Sequence, residues 1–241
     1  MRVATYNIHH GVGMDGRLDL DRIARVLERE QPDLVGLQEV DRHFSSRSGH
    51  VDQGAWLAER LGMAVVFGAN LDLDPPAPGR PRRGYGGAVL SRHPVEASAH
   101  RLLVHAPGTE RRGLVSVRVT VAGRPMAFCT THLEHTSRAL RRLQAEEVLE
   151  LLASGPASAV VVGDLNATAR SAELRALAGS LRDAWPEAGR GDGNTHRSDR
   201  PRRRIDYVLH TPDLVAERAY VTGGGGSDHL AVVADLAFPG S

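Results

Sequence analysis

Short runs of apolar residues alternate with polar segments along most of the chain, which is typical of a protein rich in β-strands. Residues 160–162 (VVV) are apolar at consecutive positions, so this strand is predicted to be buried on both faces. Similar runs, often rich in β-branched residues, predict the other strands. The predicted strands cover residues 2–8, 33–40, 64–68, 85–91, 101–105, 113–121, 126–133, 157–166, 204–210 and 229–238.

Apolar residues at helical spacing predict a smaller number of helices. These helices cover residues 19–30, 56–61, 137–152 and 171–179. Asp19 precedes the first apolar positions and is predicted to cap the first helix. The third helix is predicted to bury a stripe formed by Leu140, Leu143, Val148 and Leu151.

Many strands with few, separated helices predict two packed sheets flanked by helices. Residues 73–84 are rich in Pro and Arg and are predicted to form an exposed loop, and the glycine run at 223–226 a flexible one. No internal repeat or composition change marks a boundary. A single domain that covers residues 1–241 is therefore expected.

The bulk composition is that of an ordinary globular protein, with 41% hydrophobic and 24% charged residues. The formal net charge is +1, which gives no global basic field that would favour nucleic acid. All 30 basic residues are arginine, so any phosphate contact must use guanidinium groups. Cys129 is the one cysteine and is predicted to be buried in a strand. The start, MRVATYNI, resembles neither a signal peptide nor a membrane span, and a cytoplasmic location is expected.

Polar side chains stand at the ends of several predicted strands. Each is an acid, an amide or an imidazole, and together they are Asn7, Glu39, His132, Asp164, Asn166, Asp206, Asp228 and His229. Asp164 and Asn166 follow the valine run, and the two-residue period of a strand directs them to the same side. Carboxylate and amide oxygens suit Mg²⁺ or Mn²⁺, whereas imidazoles suit charge stabilisation and proton transfer. The pattern predicts a metal-dependent site.

Taken singly, these residues have ordinary structural explanations. Glu39 suits a solvated strand end, and Asp206 suits a salt bridge with Arg204. His9 and His10 are compatible with metal ligation but also with polar surface. The recurrence of the pattern at five or more strand ends favours a functional site. A purely structural domain does not explain why these positions hold oxygen ligands and imidazoles.

The motifs TYN, LQE, THL, GDLN, RIDYV and SDH occur in this order between Asn7 and His229. This order resembles the endonuclease/exonuclease/phosphatase superfamily, and GDLN followed by SDH is its most specific part. The opening TYNIHHG is similar to a compact bacterial branch of metal-dependent hydrolases. The resemblance implies a four-layered α/β sandwich with two mixed, mostly antiparallel sheets between helices. It also implies phosphoester hydrolysis with one or two Mg²⁺ or Mn²⁺ ions.

The resemblance also implies a metal site in which Glu39 is the main ligand, with Asn7 beside it and Asp228 assisting. The metal ligands that it suggests are Asn7, Glu39, Asp164, Asn166, Asp228 and His229. Whether the site holds one ion or two stays open, because Asp164 is compatible with either arrangement.

The catalytic roles that the resemblance implies fall on five residues. Asp164 would orient or deprotonate the attacking water, or hold a second metal. Asn166 would position that water or a phosphate oxygen. His132 would donate a hydrogen bond to the transition state. His229 would stabilise that state or act in acid–base catalysis, with Asp206 fixing its ring.

Two positions depart from the family pattern. Gly87 stands where many relatives have asparagine, and His196 stands where an aromatic residue often follows the threonine. Both changes concern substrate contacts. Arg83 and Arg112 lie near loops that face the site in the family. Surface solvation is the preferred explanation for Arg83, whereas Arg112 is predicted to bind phosphate, with solvation as its alternative.

The reaction favoured by these residues is phosphodiester hydrolysis by an activated water. The alternatives are a phosphomonoesterase acting on a small metabolite and a non-catalytic module that binds phosphate or nucleic acid. The intact polar set disfavours the non-catalytic module. Nucleic acid, a phospholipid headgroup and a small metabolite all stay open as substrates, although aromatic residues, at 4%, offer few stacking platforms. The arginine tracts at 79–84 and 199–206 fit a phosphate backbone or solvated loops. No membrane span and no obligate protein partner are expected.

Overall fold

The computed structural model describes residues 1–239, so residues 240 and 241, the end of the predicted domain, lie outside the described residues. The strands are β1 (Arg2–Asn7), β2 (Leu34–Arg42), β3 (Ala64–Leu73), β4 (Arg83–Ser91), β5 (Ala97–Leu102), β6 (Gly113–Val121), β7 (Arg124–His132), β8 (Ser158–Asp164), β9 (Arg182–Asp183), β10 (Asp206–His210), β11 (Val215–Val221) and β12 (Val232–Ala237). The α-helices are α1 (Leu20–Glu30), α2 (Gln53–Leu61), α3 (Arg138–Ala153), α4 (Ala172–Leu177) and α5 (Ala184–Ala188).

The strands form two six-stranded sheets of the same design. The first has the order β11-β12-β1-β2-β4-β3, and the second has the order β5-β6-β7-β8-β10-β9. In each sheet the central pair is parallel, β1 with β2 and β7 with β8, and the other neighbours are antiparallel. Helix α1 connects the first parallel pair and α3 connects the second, as parallel strands require a crossover. The carboxyl ends of each pair therefore lie side by side.

Three hydrophobic clusters define the layers. Residues such as Phe128 and Val160 fill the space between the two sheets. On the outer face of the first sheet, Leu27 of α1 and Leu57 of α2 pack against the strands. On the outer face of the second sheet, Val148 of α3 packs in the same way. This arrangement confirms the predicted four-layered sandwich of two mixed, mostly antiparallel sheets between helices.

The two sheets are in close contact at Gly36 in β2. A Cβ atom at this position would lie 2.3 Å from Val162 Cγ2 and 2.7 Å from Thr130 Oγ1, both in the second sheet. The neighbouring Gln38 is buried and donates from Nε2 to Thr130 Oγ1 over 2.8 Å. Glycine is thus required because a side chain would collide with the other sheet, and not because the backbone turns here. The hydrogen bond between Gln38 and Thr130 joins the two sheets next to this contact.

Several predicted elements have the expected ends. Asp19 caps α1 by accepting from Arg22 N, and Ser137 caps α3 by accepting from Leu140 N. Strand β8 is buried along its whole length, as the valine run indicates. Residues 74–82 join β3 to β4 and are exposed, which confirms most of the predicted loop. No helix among residues 1–239 is long and apolar enough to cross a membrane.

Two of the predicted features are wrong. Leu143 is 51% exposed, so it does not belong to the buried stripe of α3. The polar residues Arg141 and Gln144 occupy the buried face instead, because Arg141 pairs with Glu173 and Gln144 accepts from Glu134 N. The predicted strand at 101–105 lies too far along the chain, because the observed strand, β5, covers Ala97–Leu102.

Strand β11 and the short elements β9 and α5 were not predicted. Strand β11, with the sequence VAERAYV, lies at the edge of the first sheet, and its only buried residues are Ala216 and Ala219. Its charged residues conceal the strand pattern, because an edge strand needs few apolar positions. These elements extend both sheets outward and leave the central parallel pairs unchanged.

We expect Gly36→Ala to lower the free energy of unfolding by about 1–3 kcal/mol, because the added methyl group overpacks the contact with Val162 and Thr130. Denaturant unfolding measures this change. Gly223→Ala is the matched control, since no atom lies within 4 Å of a Cβ there, and its effect should stay within about 0.5 kcal/mol. Equal stability of the two variants would show that the close approach is not a constraint.

Candidate active site

The carboxyl ends of the two parallel pairs face each other across the interface between the sheets. In the first sheet Asn7 ends β1, and Glu39 lies within β2, just past its parallel pairing with β1. In the second sheet His132 and Asp164 end β7 and β8. His132 and Asp164 are neighbours in register. With three residues from adjoining segments they form the strand-end cluster, which consists of Asn7, Glu39, His132, Asp164, Asn166, Asp206 and His229.

Asp164 is the centre of this cluster. Its carboxylate is buried, with Oδ2 accepting from Asn7 Nδ2 over 3.2 Å and Oδ1 accepting from Asn166 N over 2.9 Å. Asn7 Nδ2 also donates to Glu39 Oε1 over 3.0 Å. One amide thus connects the carboxylate of the second sheet to the carboxylate of the first.

Two imidazoles complete the surroundings of Asp164. Oδ2 of Asp164 lies 3.4 Å from His132 Nε2 and 3.6 Å from His229 Nε2. On the far side of its ring, His229 Nδ1 lies 2.9 Å from Asp206 Oδ2. Thr195 donates its hydroxyl to the same Asp206 oxygen. Because the carboxylate can only accept, Nδ1 carries a proton and Nε2 faces Asp164.

A β-bulge aims Glu39 into the cluster. The register between β2 and β4 shifts between Leu37 and Val40, and Glu39 has a φ of 55°. A bulge re-aims a side chain, and a non-glycine residue in the left-handed region costs about 1–3 kcal/mol. The flanking Gln38 is held by Thr5 and Thr130, so the strained backbone has firm support.

The charges in the cluster are strongly coupled. Burial raises the pKa of the Asp164 carboxyl to about 7, and the charge of Asp206 adds to the shift. Burial alone lowers the pKa of His229, but the carboxylates of Asp206 and Asp164 outweigh it and raise that pKa to about 10. At neutral pH His229 is therefore an imidazolium held between two acids.

The pKa of His132 is shifted in the opposite direction to that of His229. Burial, followed by the charge of Arg112, lowers the pKa of His132 well below its ordinary value. Arg112 Nη1 donates to His132 Nδ1 over 3.0 Å, and since a guanidinium cannot accept, the proton of the neutral ring lies on Nε2. Asn166 Nδ2 donates to Leu133 O, and although it lies 3.0 Å from that Nε2, two N–H donors do not bond to each other. The ring of His132 is thus held by Arg112 through Nδ1.

Arg112 lies behind His132 and is only 2% exposed. Its Nη1 also donates to Glu110 over 2.6 Å, and its Nη2 lies 3.3 Å from His135 Nδ1. Surface solvation, the alternative for Arg112, is therefore wrong, whereas phosphate binding stays a prediction. Arg83 donates to the carbonyl of Asp74, which places it with the exposed loop.

Asp228 and two further histidines, His9 and His196, lie at the rim of the cluster. Asp228 Oδ1 is 3.8 Å from His9 Nδ1, and its Oδ2 is 3.9 Å from His196 Nε2. The ring of His196 packs on that of His229, with centroids 4.7 Å apart. His9 Nδ1 lies 3.1 Å from the carbonyl of Val12, so its proton is on Nδ1 and Nε2 is free to act as a ligand.

Three sets of side chains have ligand atoms that all lie within 4.8 Å of one another, as a metal ion would need. The sets are His9, His10 and Glu39; His196, Asp228 and His229; and Asp164, Asp206 and His229. All residues predicted from the strand ends are therefore in or beside one cluster. Sequence reasoning missed Thr195 and the role of Arg112 behind His132, because neither residue ends a strand.

Comparison with known proteins agrees with this fold. The sequence profile described as Endonuclease/Exonuclease/phosphatase family matches residues 4–229. The chain is similar to an Escherichia coli (strain K12) protein described as Uncharacterized protein YbhP. The two are 27% identical over 243 residues, which cover 96% of this chain and 88% of that protein.

Solved structures show the same fold. An endonuclease/exonuclease/phosphatase from Beutenbergia cavernae DSM 12333 is 33% identical to this chain in sequence. The two structures superpose with a TM-score of 0.82, and the match covers 99% of this chain and 71% of that one. A mannosyl-6-phosphatase from Bacteroides thetaiotaomicron VPI-5482 is 19% identical in sequence and superposes with a TM-score of 0.79. The match covers 99% of this chain and 100% of that one. The second similarity establishes the fold alone.

We expect Asp206→Asn to lower the pKa of His229 by about 1–3 pH units, because the carboxylate that stabilises the imidazolium becomes a neutral amide. Titration of the His229 ring protons by NMR in metal-free protein measures the change. Asp235→Asn, which removes an acid that pairs with Arg2, should leave the titration unchanged. An unaltered pKa of His229 in the Asp206 variant would contradict the described coupling.

Proposed function

Because the chain belongs to the endonuclease/exonuclease/phosphatase family, whose members are hydrolases of phosphoester bonds, we propose that it is a divalent-metal-dependent phosphodiesterase. The observation that carries the proposal is the buried carboxylate of Asp164, which lies within reach of Asn7, His132 and His229. This set offers an acceptor for water protons beside two hydrogen-bond donors for phosphate oxygens. The catalytic unit would be a single domain over residues 1–241.

The residues of the cluster fit a hard divalent cation. Glu39 and Asp164 supply carboxylate oxygens that face the same amide, Asn7, from the two sheets. The cluster contains three carboxyl groups, those of Glu39, Asp164 and Asp206, against one imidazolium, and Mg²⁺ or Mn²⁺ would neutralise the excess negative charge. Glu39 would be the main ligand, with Asn7 beside it and with Asp164, Asn166 and Asp228 as further candidates for one or two ions. His229 would bind an ion only after it has lost the proton on Nε2. When bound, the cation supplies charge neutralisation of the phosphate and polarisation of phosphorus.

Asp164 and Asn166 would prepare the attacking water. The pKa of Asp164 near 7 suits a carboxylate that accepts a proton at neutral pH. Asn166 is held next to it, since its backbone N–H donates to Asp164 Oδ1. Attack would occur in line with the leaving oxygen, and positioning would contribute much of the rate.

His132 and His229 would stabilise negative charge on the phosphate oxygens in the transition state. His229 is protonated at neutral pH and is held by Asp206, so it can donate from Nε2 or protonate the leaving group. Neutral His132 would donate from Nε2, with Arg112 on its Nδ1. Preorganised donors of this kind are effective because they need no reorganisation during the reaction.

A phosphomonoesterase that acts on a small metabolite is the alternative reaction, and a non-catalytic binding module is the alternative class. The intact cluster supports an enzyme over a binding module. A cytoplasmic location stays a prediction. The comparison of a diester with a monoester separates the two reactions directly.

We expect the protein to hydrolyse an aryl phosphodiester, such as bis(4-nitrophenyl) phosphate, faster than the corresponding monoester in Mg²⁺ or Mn²⁺. Chelator should abolish the turnover. Asp164→Asn should lower kcat/KM by about 10²–10⁴-fold, because it removes the proton acceptor and weakens the cation site. Release of nitrophenolate measures each rate.

The matched control for this experiment is Asp74→Asn, which alters a carboxylate that is 89% exposed in the loop before β4 and should retain full activity. Monoester turnover that exceeds diester turnover would favour the phosphatase alternative. Near-normal turnover of the Asp164 variant would refute the proposed role of this residue.

Cation binding should also depend on pH in a defined direction. Protons compete with the cation for Asp164, whose pKa is raised to about 7, so Mn²⁺ should bind about tenfold more tightly at pH 8 than at pH 6. Titration calorimetry with Mn²⁺ in the absence of substrate measures both affinities. Asp164→Asn should flatten the dependence, and equal affinities of the natural protein at the two pH values would contradict the assignment.

A further inference from the structure

A surface pocket of about 270 Å³ adjoins the strand-end cluster at Asn166. Its wall includes three exposed arginines, Arg138, Arg170 and Arg203, and no acidic residue lines it. We refer to this cavity, defined by Asn166 and these three arginines, as the arginine pocket. Because Asn166 also lies next to His132 and Asp164, a group bound in the pocket would be next to the proposed reaction centre.

The three arginines come from separate parts of the fold. Arg138 is the first residue of α3, Arg170 lies in the segment between β8 and α4, and Arg203 belongs to the segment before β10. Within residues 1–239, none of the three has a carboxylate within salt-bridge distance. Three uncompensated guanidinium groups around one cavity repel each other, and an anion would relieve that repulsion.

Other exposed arginines of this arginine-rich chain provide a contrast. Arg60 pairs with Glu28, Arg82 pairs with Asp72 and Asp74, and Arg142 pairs with Glu146. Arg142 lies one turn beyond Arg138 on the same helix. Among residues 1–239, further exposed arginines such as Arg25 and Arg190 also lack a carboxylate partner, so the distinguishing feature of the pocket arginines is that all three line one cavity beside Asn166.

The backbone of Arg203 is fixed relative to the reaction centre. Arg203 O accepts from Thr195 N over 2.9 Å, and Arg203 N donates to His196 O over 3.2 Å. Thr195 in turn donates its hydroxyl to Asp206, and the ring of His196 packs on His229. The segment that presents Arg203 is thus bonded to the residues that hold the catalytic imidazole, which favours a role in substrate recognition over a free surface loop.

We propose that the arginine pocket binds a second phosphate group of the substrate while the first lies in the strand-end cluster. Guanidinium groups bind phosphate through paired, charge-assisted hydrogen bonds, and the cavity is large enough to admit such a group. The inference rests on the proposed function, and it narrows the substrate to compounds with two phosphates, either a small bisphosphate or a nucleic-acid backbone.

Binding of non-hydrolysable probes tests the arginine pocket without any turnover. The probes are propane-1,3-bisphosphonate, propylphosphonate and a short phosphorothioate oligothymidylate, each titrated by calorimetry in saturating Mg²⁺. We expect the natural protein to bind the bisphosphonate or the oligothymidylate at least about tenfold more tightly than propylphosphonate. The probe that binds more tightly identifies the source of the second phosphate.

The triple variant Arg138→Gln, Arg170→Gln, Arg203→Gln should reduce this affinity ratio toward one. A matched control with the same change in net charge is Arg60→Gln, Arg82→Gln, Arg142→Gln, in which the ratio should be retained. Equal binding of all three probes by the natural protein, or an unchanged ratio in the pocket variant, would overturn the inference. Because only binding is measured, failure of the proposed hydrolysis would appear separately, in the aryl phosphodiester assay.

Discussion

The burial of one carboxylate, that of Asp164, is the constraint on which the rest of the site depends. An unpaired buried carboxylate is costly, so it persists only where donors and positive charge surround it. Here an amide from the other sheet, a backbone N–H and two imidazoles meet this need. Glycine at position 36 lets the sheets approach closely, and Asn7 of the first sheet reaches Asp164 of the second across the same interface. Fold and site are therefore joined through the same interface.

The repeated design of the two sheets explains why the polar residues converge. Each sheet has one parallel pair at its centre, and the carboxyl ends of both pairs meet at one edge of the sandwich. The antiparallel neighbour β10 begins at Asp206, opposite Asp164 in register, which brings the support for His229 to the same place. The fold thus places the groups, while segments outside the strands, such as the one that carries Arg203, would set the choice of substrate.

Much of this arrangement could be predicted from the sequence, because strand-end acids, amides and imidazoles are local signals. Helix caps such as Asp19 are local as well. The errors arose where distant partners decide the outcome. On α3, Leu143 is exposed whereas Arg141 is buried and paired with Glu173 on another helix, and the apolar periodicity of the sequence contains no information about that pairing. The position of Arg112 behind His132 likewise depends on the pairing of β6 with β7.

A crystal of the protein soaked in Mn²⁺ provides the most direct test of the central claim, that the junction of the two sheets holds a divalent cation for phosphoester hydrolysis. Anomalous difference density locates Mn²⁺ without reference to activity. The account predicts a peak within bonding distance of a Glu39 carboxylate oxygen, on the side shared with Asn7 and Asp164. Saturating Mn²⁺ with no peak at this junction, or with peaks only elsewhere on the surface, would contradict it.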